Sequence, residues 1–139
     1  GSIEPKIFFI GEAPGVQEDK TGRPFVGAAG KLLTSLIEEI GLSREDVYIT
    51  NVIKCRPPGN RDPREDEIRM CKPYLERQLM IIRPKIIVTL GRYAASVISE
   101  YAGKSFKSMT REHGIKHDIN ILGFNAKLLH TYHPAAALY

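Results

Sequence analysis

The feature that most constrains this chain is a long glycine-rich loop at residues 11–30, set between an apolar run and a helical pattern. The apolar run at residues 6–10 is short and rich in β-branched and aromatic side chains, as buried strands are. After the loop, leucines and isoleucines recur at helical spacing until Gly41. The three pieces predict the first unit of an α/β fold, in which the loop lies where open sheets bind ligands.

The composition of this loop favours a binding role. Its five glycines allow the backbone to approach a ligand closely, and it also carries acidic side chains and one aromatic ring, Phe25. Long ordered loops in small domains usually carry function. We therefore interpret the loop as functional, and an ordinary connection is the alternative.

The rest of the chain continues the alternation of strand and helix. Apolar, β-branched runs predict strands at 47–53 and 85–90, with weaker strand signals at 115–122 and 126–129. Helical patterns occupy 63–82, where Pro73 predicts a kink or restart, and 93–101. We expect one α/β domain over residues 1–139, a three-layer αβα sandwich around a central, mainly parallel four-stranded sheet.

Composition narrows the functional classes. The 139 residues include 42% hydrophobic residues and carry a net charge of +4, which is compatible with nucleic-acid binding. No apolar run is long enough to span a membrane, and no signal peptide precedes Lys6, so we expect a cytoplasmic location. The two cysteines, Cys55 and Cys71, are either buried thiols or metal ligands, because a disulfide is not expected without a secretory signal.

One polar residue stands out at the end of a predicted strand. Asn51 closes the β-branched run at 47–53, although asparagine is depleted from strands. Its amide offers both a donor and an acceptor, which suits the reading of a base edge. Capping of a loop is the alternative.

Four motifs then occur in a fixed order. The first loop contains GEAPG, QED and GRPFVG. It is followed by TNVIKCRPPGNRDP at 50–63, RPKIIVTLG at 83–91 and TYHPAA at 131–136. In this order the motifs resemble those of the family 4 uracil-DNA glycosylases, and the resemblance spans residues 6–138. It implies a uracil-DNA glycosylase-like fold and hydrolysis of the bond between uracil and deoxyribose.

The resemblance also implies roles for individual residues in the uracil pocket. Phe25 would stack on the flipped uracil, and Asn51 would pair with its edge and reject cytosine. His133 would donate a hydrogen bond to the oxyanion that develops on the leaving base. His113, His117 and His130 match no motif, so we expect them to be structural or solvated.

The remaining pocket positions come from the first and second motifs. Gly11 and Ala13 would line the pocket, and Ala13 has no polar group that could act as a general base. Asn60 would position the attacking water with support from Glu12. Glu18 would lie near the C5 edge of uracil, where it could exclude the methyl group of thymine.

The expected partner is uracil-containing DNA. Arg56 and Arg61 follow the second strand and would contact phosphates, with a solvated basic face as the alternative. Ala136 and Leu138 resemble the family loop that enters the duplex as the base leaves, with Leu138 as a wedge or, alternatively, as ordinary packing. We expect a nucleoid-associated monomer.

The resemblance further implies a 4Fe-4S cluster held by four cysteines. Cys55 and Cys71 match two of the four ligands, whereas the other pair of the family lies upstream of the first strand and is not among these 139 residues. The family also continues beyond the last motif into a basic C-terminal segment. The chain is then either a fragment of a longer protein or a natural variant without the cluster, and we expect the complete protein to bind the cluster.

Two other functions stay open on the sequence alone. The domain could bind uracil-containing or single-stranded DNA without cleaving it, since Ala13 supplies no base. A flavodoxin-like binder of small molecules or phosphate is a weaker alternative, because GEAPG lacks the established nucleotide-binding glycine patterns.

Overall fold

The computed structural model of the chain describes residues 4–12, 28–52 and 65–133, apart from the side chains at 28–29, 65–71 and 110. The strands are β1 (Phe8–Gly11), β2 (Tyr48–Asn51), β3 (Ile86–Leu90), β4 (Lys116–Ile121) and β5 (Phe124–Thr131). The helices are α1 (Ala28–Glu39), α2 (Glu65–Ile82), α3 (Arg92–Tyr101) and the short α4 (Met109–Glu112), and a 3-10 turn covers Arg44–Asp46. Pro73 lies inside α2 without ending it, so the predicted restart does not occur.

The described strands form one sheet in the order β2-β1-β3-β5-β4. The first four are parallel to their neighbours, and β4 pairs antiparallel with β5. Parallel neighbours joined through helices are the arrangement that the alternating sequence pattern predicts. The α/β class and the mainly parallel sheet are therefore confirmed.

The predicted count of four strands is wrong by one in the described part of the chain, where the sheet has five strands. Both weak strand signals, at 115–122 and 126–129, correspond to strands, β4 and β5, which form a hairpin. Ile121 and Phe124 close this hairpin around two residues with positive φ, Leu122 at 48° and Gly123 at 89°. Positive φ at both central residues is typical of tight hairpin turns, but Leu-Gly is a weaker sequence signal than Asn-Gly. β4 also lies at the sheet edge and buries only alternate residues.

Two hydrophobic clusters cover the two faces of the sheet and confirm the three layers. Successive residues of a strand point to opposite faces. Accordingly, Phe8 and Ile10 pack with residues of α2 and α3, whereas Phe9 packs with residues of α1. Fully buried side chains of this size contribute about 1.5–3 kcal/mol each to folding.

Helix α1 buries a narrower stripe than its apolar pattern predicts. Leu33 and Ile37 are buried, as expected for residues four apart on one face. Leu36 is 46% exposed on the flank of the helix that turns away from the sheet, and Ile40, in the turn just after Glu39, is 62% exposed. No helix in the described residues has the length and apolar character needed to cross a bilayer.

Candidate active site

The site lies at the carboxyl edge of the parallel strands. Gly11, the last residue of β1, is the register partner of Asn51, the last residue of β2. On the other side of β1, Ile10 pairs with Thr89 of β3, and Leu90 pairs with Thr131 of β5. Neighbouring strands lie about 4.8 Å apart. The residues that follow these four strands therefore leave the sheet as close neighbours.

Glu12 and His133 both approach the space above Gly91. A Cβ atom at Gly91 would lie 2.7 Å from Glu12 Oε1 and 3.4 Å from the His133 Cβ atom. Gly91 has φ +94°, a conformation that favours glycine, and its N–H donates to the carbonyl of Thr131 at 2.9 Å. The absence of a side chain at Gly91 thus leaves the space that the Glu12 carboxylate occupies beside the strand bearing His133.

Asn51 is 6% exposed and sits on a strand that is anchored on both sides. The N–H of Val52 donates to the Gly11 carbonyl at 2.9 Å. The Thr50 hydroxyl donates to Gln78 Oε1 at 3.0 Å, and Gln78 Nε2 donates to the Tyr48 hydroxyl at 2.8 Å, which ties β2 to α2. These contacts fix the position of the Asn51 backbone before any ligand binds.

A buried polar cluster lies directly below the site. His130 is 1% exposed and is the register partner of Thr89. Its Nδ1 atom hydrogen-bonds with the Thr89 hydroxyl, and its Nε2 atom lies 3.3 Å from the Ser99 hydroxyl. Because hydroxyl groups both donate and accept, either neutral tautomer of the imidazole can satisfy both contacts. The cluster joins β5 to β3 and α3 three residues before His133.

Burial keeps the His130 imidazole neutral. Desolvation lowers the pKa of His130 to about 4, although the carboxylate of Glu112 acts in the opposite direction. The nearby His117 adds a smaller lowering of the same pKa. The prediction that His130 is a structural residue is consistent with this position.

Together, the described site residues offer three kinds of chemistry. An imidazole can donate to a developing oxyanion, a carboxylate can orient water, and a buried amide can pair with a ligand edge. Glu12, Asn51 and His133, with Gly11 beside them, are four of the residues selected from the sequence. The structure brings them to one edge, and their roles there stay predictions.

The other selected residues lie outside the described part of the chain. They are Ala13, Glu18, Phe25, Cys55, Arg56, Asn60, Arg61, Ala136 and Leu138, together with the side chain of Cys71. Cys71 falls within α2, where only its backbone is described.

Sequence reasoning missed the part that Gly91 plays at the site. The sequence pattern identifies this residue only as the turn from β3 into the next helix, and it does precede α3 directly. A glycine between a strand and a helix is a signal for close backbone approach. The partner of that approach, Glu12, comes 79 positions earlier in the chain and is found only in the structure.

The residues present do not by themselves fit a four-thiolate cluster. The chain has two cysteines, and such a cluster normally needs four thiolates. Within the described residues, no group of three or more histidine, cysteine or acidic side chains could hold a metal ion.

Comparisons with known proteins agree with this fold. Residues 1–139 match the model of the Uracil DNA glycosylase superfamily. Type-4 uracil-DNA glycosylases of Sulfurisphaera tokodaii and Saccharolobus solfataricus are 57% and 56% identical over the whole chain, which spans 64% and 65% of their own lengths. A type-4 uracil-DNA glycosylase of Archaeoglobus fulgidus is 52% identical, again over the whole chain and over 70% of its own length.

An α/β sandwich with polar side chains gathered at the carboxyl edge of its parallel strands is a class with many functions. The matches are more specific: the chain belongs to the uracil DNA glycosylase superfamily and, within it, to the type-4 uracil-DNA glycosylases. It spans just under two thirds of the length of the Sulfurisphaera and Saccharolobus relatives.

The buried His130 predicts a specific loss of stability in mild acid. Between about pH 6.5 and pH 4, His130 is protonated in the unfolded chain but stays neutral in the folded chain. The free energy of unfolding therefore falls as the pH falls. At about 1.4 kcal/mol per pH unit, the loss reaches about 3 kcal/mol near pH 4.

Urea unfolding of the unchanged chain and of His130→Gln across this pH range measures the effect. Glutamine keeps a donor and an acceptor but does not titrate, whereas the carboxylates contribute equally to both proteins. We expect the stability of the variant to fall less steeply from pH 6.5 to pH 4. If the free energy of unfolding depended on pH in the same way in both proteins, His130 would not be held neutral in the folded chain.

Proposed function

We propose that this domain is a uracil-DNA glycosylase, which hydrolyses the N-glycosidic bond of a flipped-out uracil and leaves an abasic site. The observation that carries the proposal is the approach of both Glu12 and His133 to the space above Gly91, with the buried Asn51 at the end of β2, the strand that pairs with β1. The sequence relatives, which are named type-4 uracil-DNA glycosylases, support the choice of uracil as the leaving group.

The main chemical demand of this reaction is stabilisation of the leaving base. When the glycosidic bond breaks dissociatively, the electron pair goes to uracil, which leaves as an anion, and the sugar becomes cationic. His133 donates an N–H to the oxygen that gains this charge. A fixed donor to an oxyanion is effective in either its neutral or its charged form.

Asn51 selects the base in this proposal. The amide pairs with the acceptor and donor on the uracil edge, and cytosine presents the opposite pattern at the same edge. A buried amide that is left mismatched discriminates strongly between the two bases. The limited exposure of Asn51, 6%, and the anchoring of β2 support this role, because the backbone that carries the amide is held in place.

Water must then reach the sugar carbon that loses the base. Ala13 has no group that could take a proton, so we assign the positioning of water to Asn60, with Glu12 as its support. The negative charge of Glu12 also favours the cationic sugar. The water delivers its oxygen to the sugar and its proton to solvent, and uracil leaves with its electron pair.

The remaining roles concern how the nucleotide is held. Phe25 stacks on the extruded base, which is worth roughly 1–3 kcal/mol for a base on an aromatic ring. Glu18 occupies the space beside C5 that the methyl group of thymine would need, and Gly11 lines the pocket with its backbone.

Contacts to the rest of the DNA come from two further pairs of residues. Arg56 and Arg61 bind phosphates after β2. Ala136 and Leu138 fill the gap that the flipped base leaves in the duplex. The substrate places the protein with DNA in the cytoplasm or nucleoid, and its action as a monomer stays a prediction.

Two point variants test the proposed activity. His133→Ala removes the oxyanion donor and should lower the single-turnover rate of uracil release by about 100-fold to 1,000-fold. Asn51→Ala should lower the rate on uracil and weaken its advantage over cytosine. The assay uses excess protein, a labelled oligonucleotide with one uracil, matched thymine and cytosine oligonucleotides, and alkaline cleavage of abasic sites.

The control is Asn120→Ala, which removes an exposed amide that hydrogen-bonds with Asn125 on the β4–β5 hairpin. We expect this variant to cleave at the unchanged rate. Full activity in His133→Ala or Asn51→Ala would remove that residue from the mechanism. Binding of uracil-containing DNA by the unchanged chain without any abasic product would instead identify a binding module.

We also propose that the complete protein holds a 4Fe-4S cluster, with Cys55 and Cys71 as two ligands and two thiolates from outside these 139 residues. Four thiolates are the usual requirement. Full-length protein should be coloured and contain about four iron atoms per chain, and Cys55→Ser or Cys71→Ser should reduce visible absorbance and iron together. Folded, colourless, iron-free full-length protein would refute this assignment.

A further inference from the structure

A group of exposed cations lies between α3 and β4, and it includes none of the DNA-binding residues selected from the sequence. We call residues 103–116 the cationic segment. Lys104, Lys107, Arg111 and Lys116 are exposed. Glu112 is the one acidic residue among these fourteen positions, so the segment carries a local positive charge.

The single carboxylate of the segment stabilises its fold and pairs with none of these cations. Glu112 Oε2 accepts a hydrogen bond from the backbone N–H of Lys107, and the Ser108 hydroxyl accepts one from the N–H of Arg111 at 3.3 Å. Among the described residues, no carboxylate forms an ion pair with any of the four cations. Their charges are therefore available to an anionic partner.

The cationic segment is attached to the strand that leads to His133. The N–H of Gly114 donates to the His130 carbonyl at 2.8 Å, and His113 forms a bridge with the same residue. The His113 ring lies 4.9 Å from the ring of Tyr132, which is 49% exposed and directly precedes His133. The segment thus extends the row of strand ends at the carboxyl edge beyond β5.

The dimensions of this edge suit a nucleic-acid strand. The carboxyl ends of the four neighbouring strands β2, β1, β3 and β5 form a row about 19 Å long, at 4.8 Å for each strand. That length matches about five or six nucleotides of one strand at 3.4 Å each. Arg56 and Arg61 follow β2 in sequence and the cationic segment follows β5 in space, so the two groups would flank the pocket.

We propose that the cationic segment binds backbone phosphates of the DNA strand on one side of the extruded nucleotide, through Lys104, Lys107 and Arg111. This inference rests on the proposed function, because it assigns part of the DNA contact to a surface beside the same site. The binding is electrostatic and independent of base sequence. The exposed Tyr132, whose ring lies beside that of His113 in the segment, directly precedes His133.

The salt dependence of DNA binding tests this assignment. The triple variant Lys104→Ala, Lys107→Ala, Arg111→Ala removes three charges from the cationic segment. The matched control Lys6→Ala, Lys85→Ala, Lys127→Ala also removes three charges and thus changes net charge equally. Lys6 and Lys85 precede β1 and β3, and Lys127 of β5 is level with Ile86 at the start of β3. Fluorescence anisotropy with an oligonucleotide carrying a non-hydrolysable 2′-fluoro-deoxyuridine gives the affinity at several salt concentrations.

We expect the slope of log affinity against log salt to be shallower by about 2–3 in the segment variant, because each duplex phosphate that a cation neutralises contributes about 0.9 to the slope. The control variant should keep a slope close to that of the unchanged chain. Urea unfolding of all three proteins establishes that each is folded.

Two results would overturn the assignment, and they are distinguishable. If the unchanged chain binds and cleaves uracil-containing DNA but both triple variants change the slope equally, the proposed function stands and the cationic segment does not bind the phosphates. If the unchanged chain neither binds nor cleaves this DNA, the proposed function fails and the assignment fails with it.

Discussion

Parallel hydrogen bonding between β1 and its two neighbours fixes the height at which the site residues leave the sheet. Gly11 is level with Asn51, and continuing the pairing of Ile10 with Thr89 by two residues sets Glu12 level with Gly91. A slip of one residue would turn every side chain of β1 to the opposite face. Phe8 and Ile10 pack into the core on one face of the sheet and Phe9 packs on the other, and this fitted packing opposes the slip. Core packing therefore determines the geometry of the site.

The polar cluster at His130 is a second constraint from the interior. An imidazole buried between Thr89 and Ser99 has both nitrogens in contact with hydroxyl groups, which offsets the cost of its desolvation. The contacts bind β5 to β3 and α3 immediately before the chain turns towards His133. His130 therefore supports the position of His133 without being part of the proposed chemistry.

Much of this arrangement could be predicted from local sequence. The apolar runs predict the parallel strands, and the end of β2 singles out Asn51. The weak strand signals at 115–122 and 126–129 do correspond to β4 and β5. Their pairing as a hairpin was harder to predict, because Leu122-Gly123 is a weak turn signal and β4 is an edge strand with half its residues exposed. The apolar pattern of α1 also predicts a broader buried stripe than the structure has, since Leu36 and, just after the helix, Ile40 are exposed.

Contacts between distant strands could not be predicted by the same reasoning. The approach of Glu12 to Gly91 depends on the register of β1 against β3, and the burial of His130 depends on α3, which supplies Ser99. A sequence pattern reports the periodicity of one element at a time. The pattern therefore indicates which residues face the core, but it says much less about which residues of different elements contact each other.

Comparison of Gly91→Ala with Gly123→Ala tests the meeting of Glu12 and His133 most directly. Both glycines have positive φ near 90°, so alanine strains both backbones, but only at Gly91 does the new Cβ collide with Glu12. The carboxylate ends a flexible side chain and can move aside, so we expect similar losses of stability. The rate of uracil release should fall about 100-fold in Gly91→Ala alone, as for a misplaced catalytic group. Equal rates in the two variants would contradict the assignment of Glu12 and His133 to one active site.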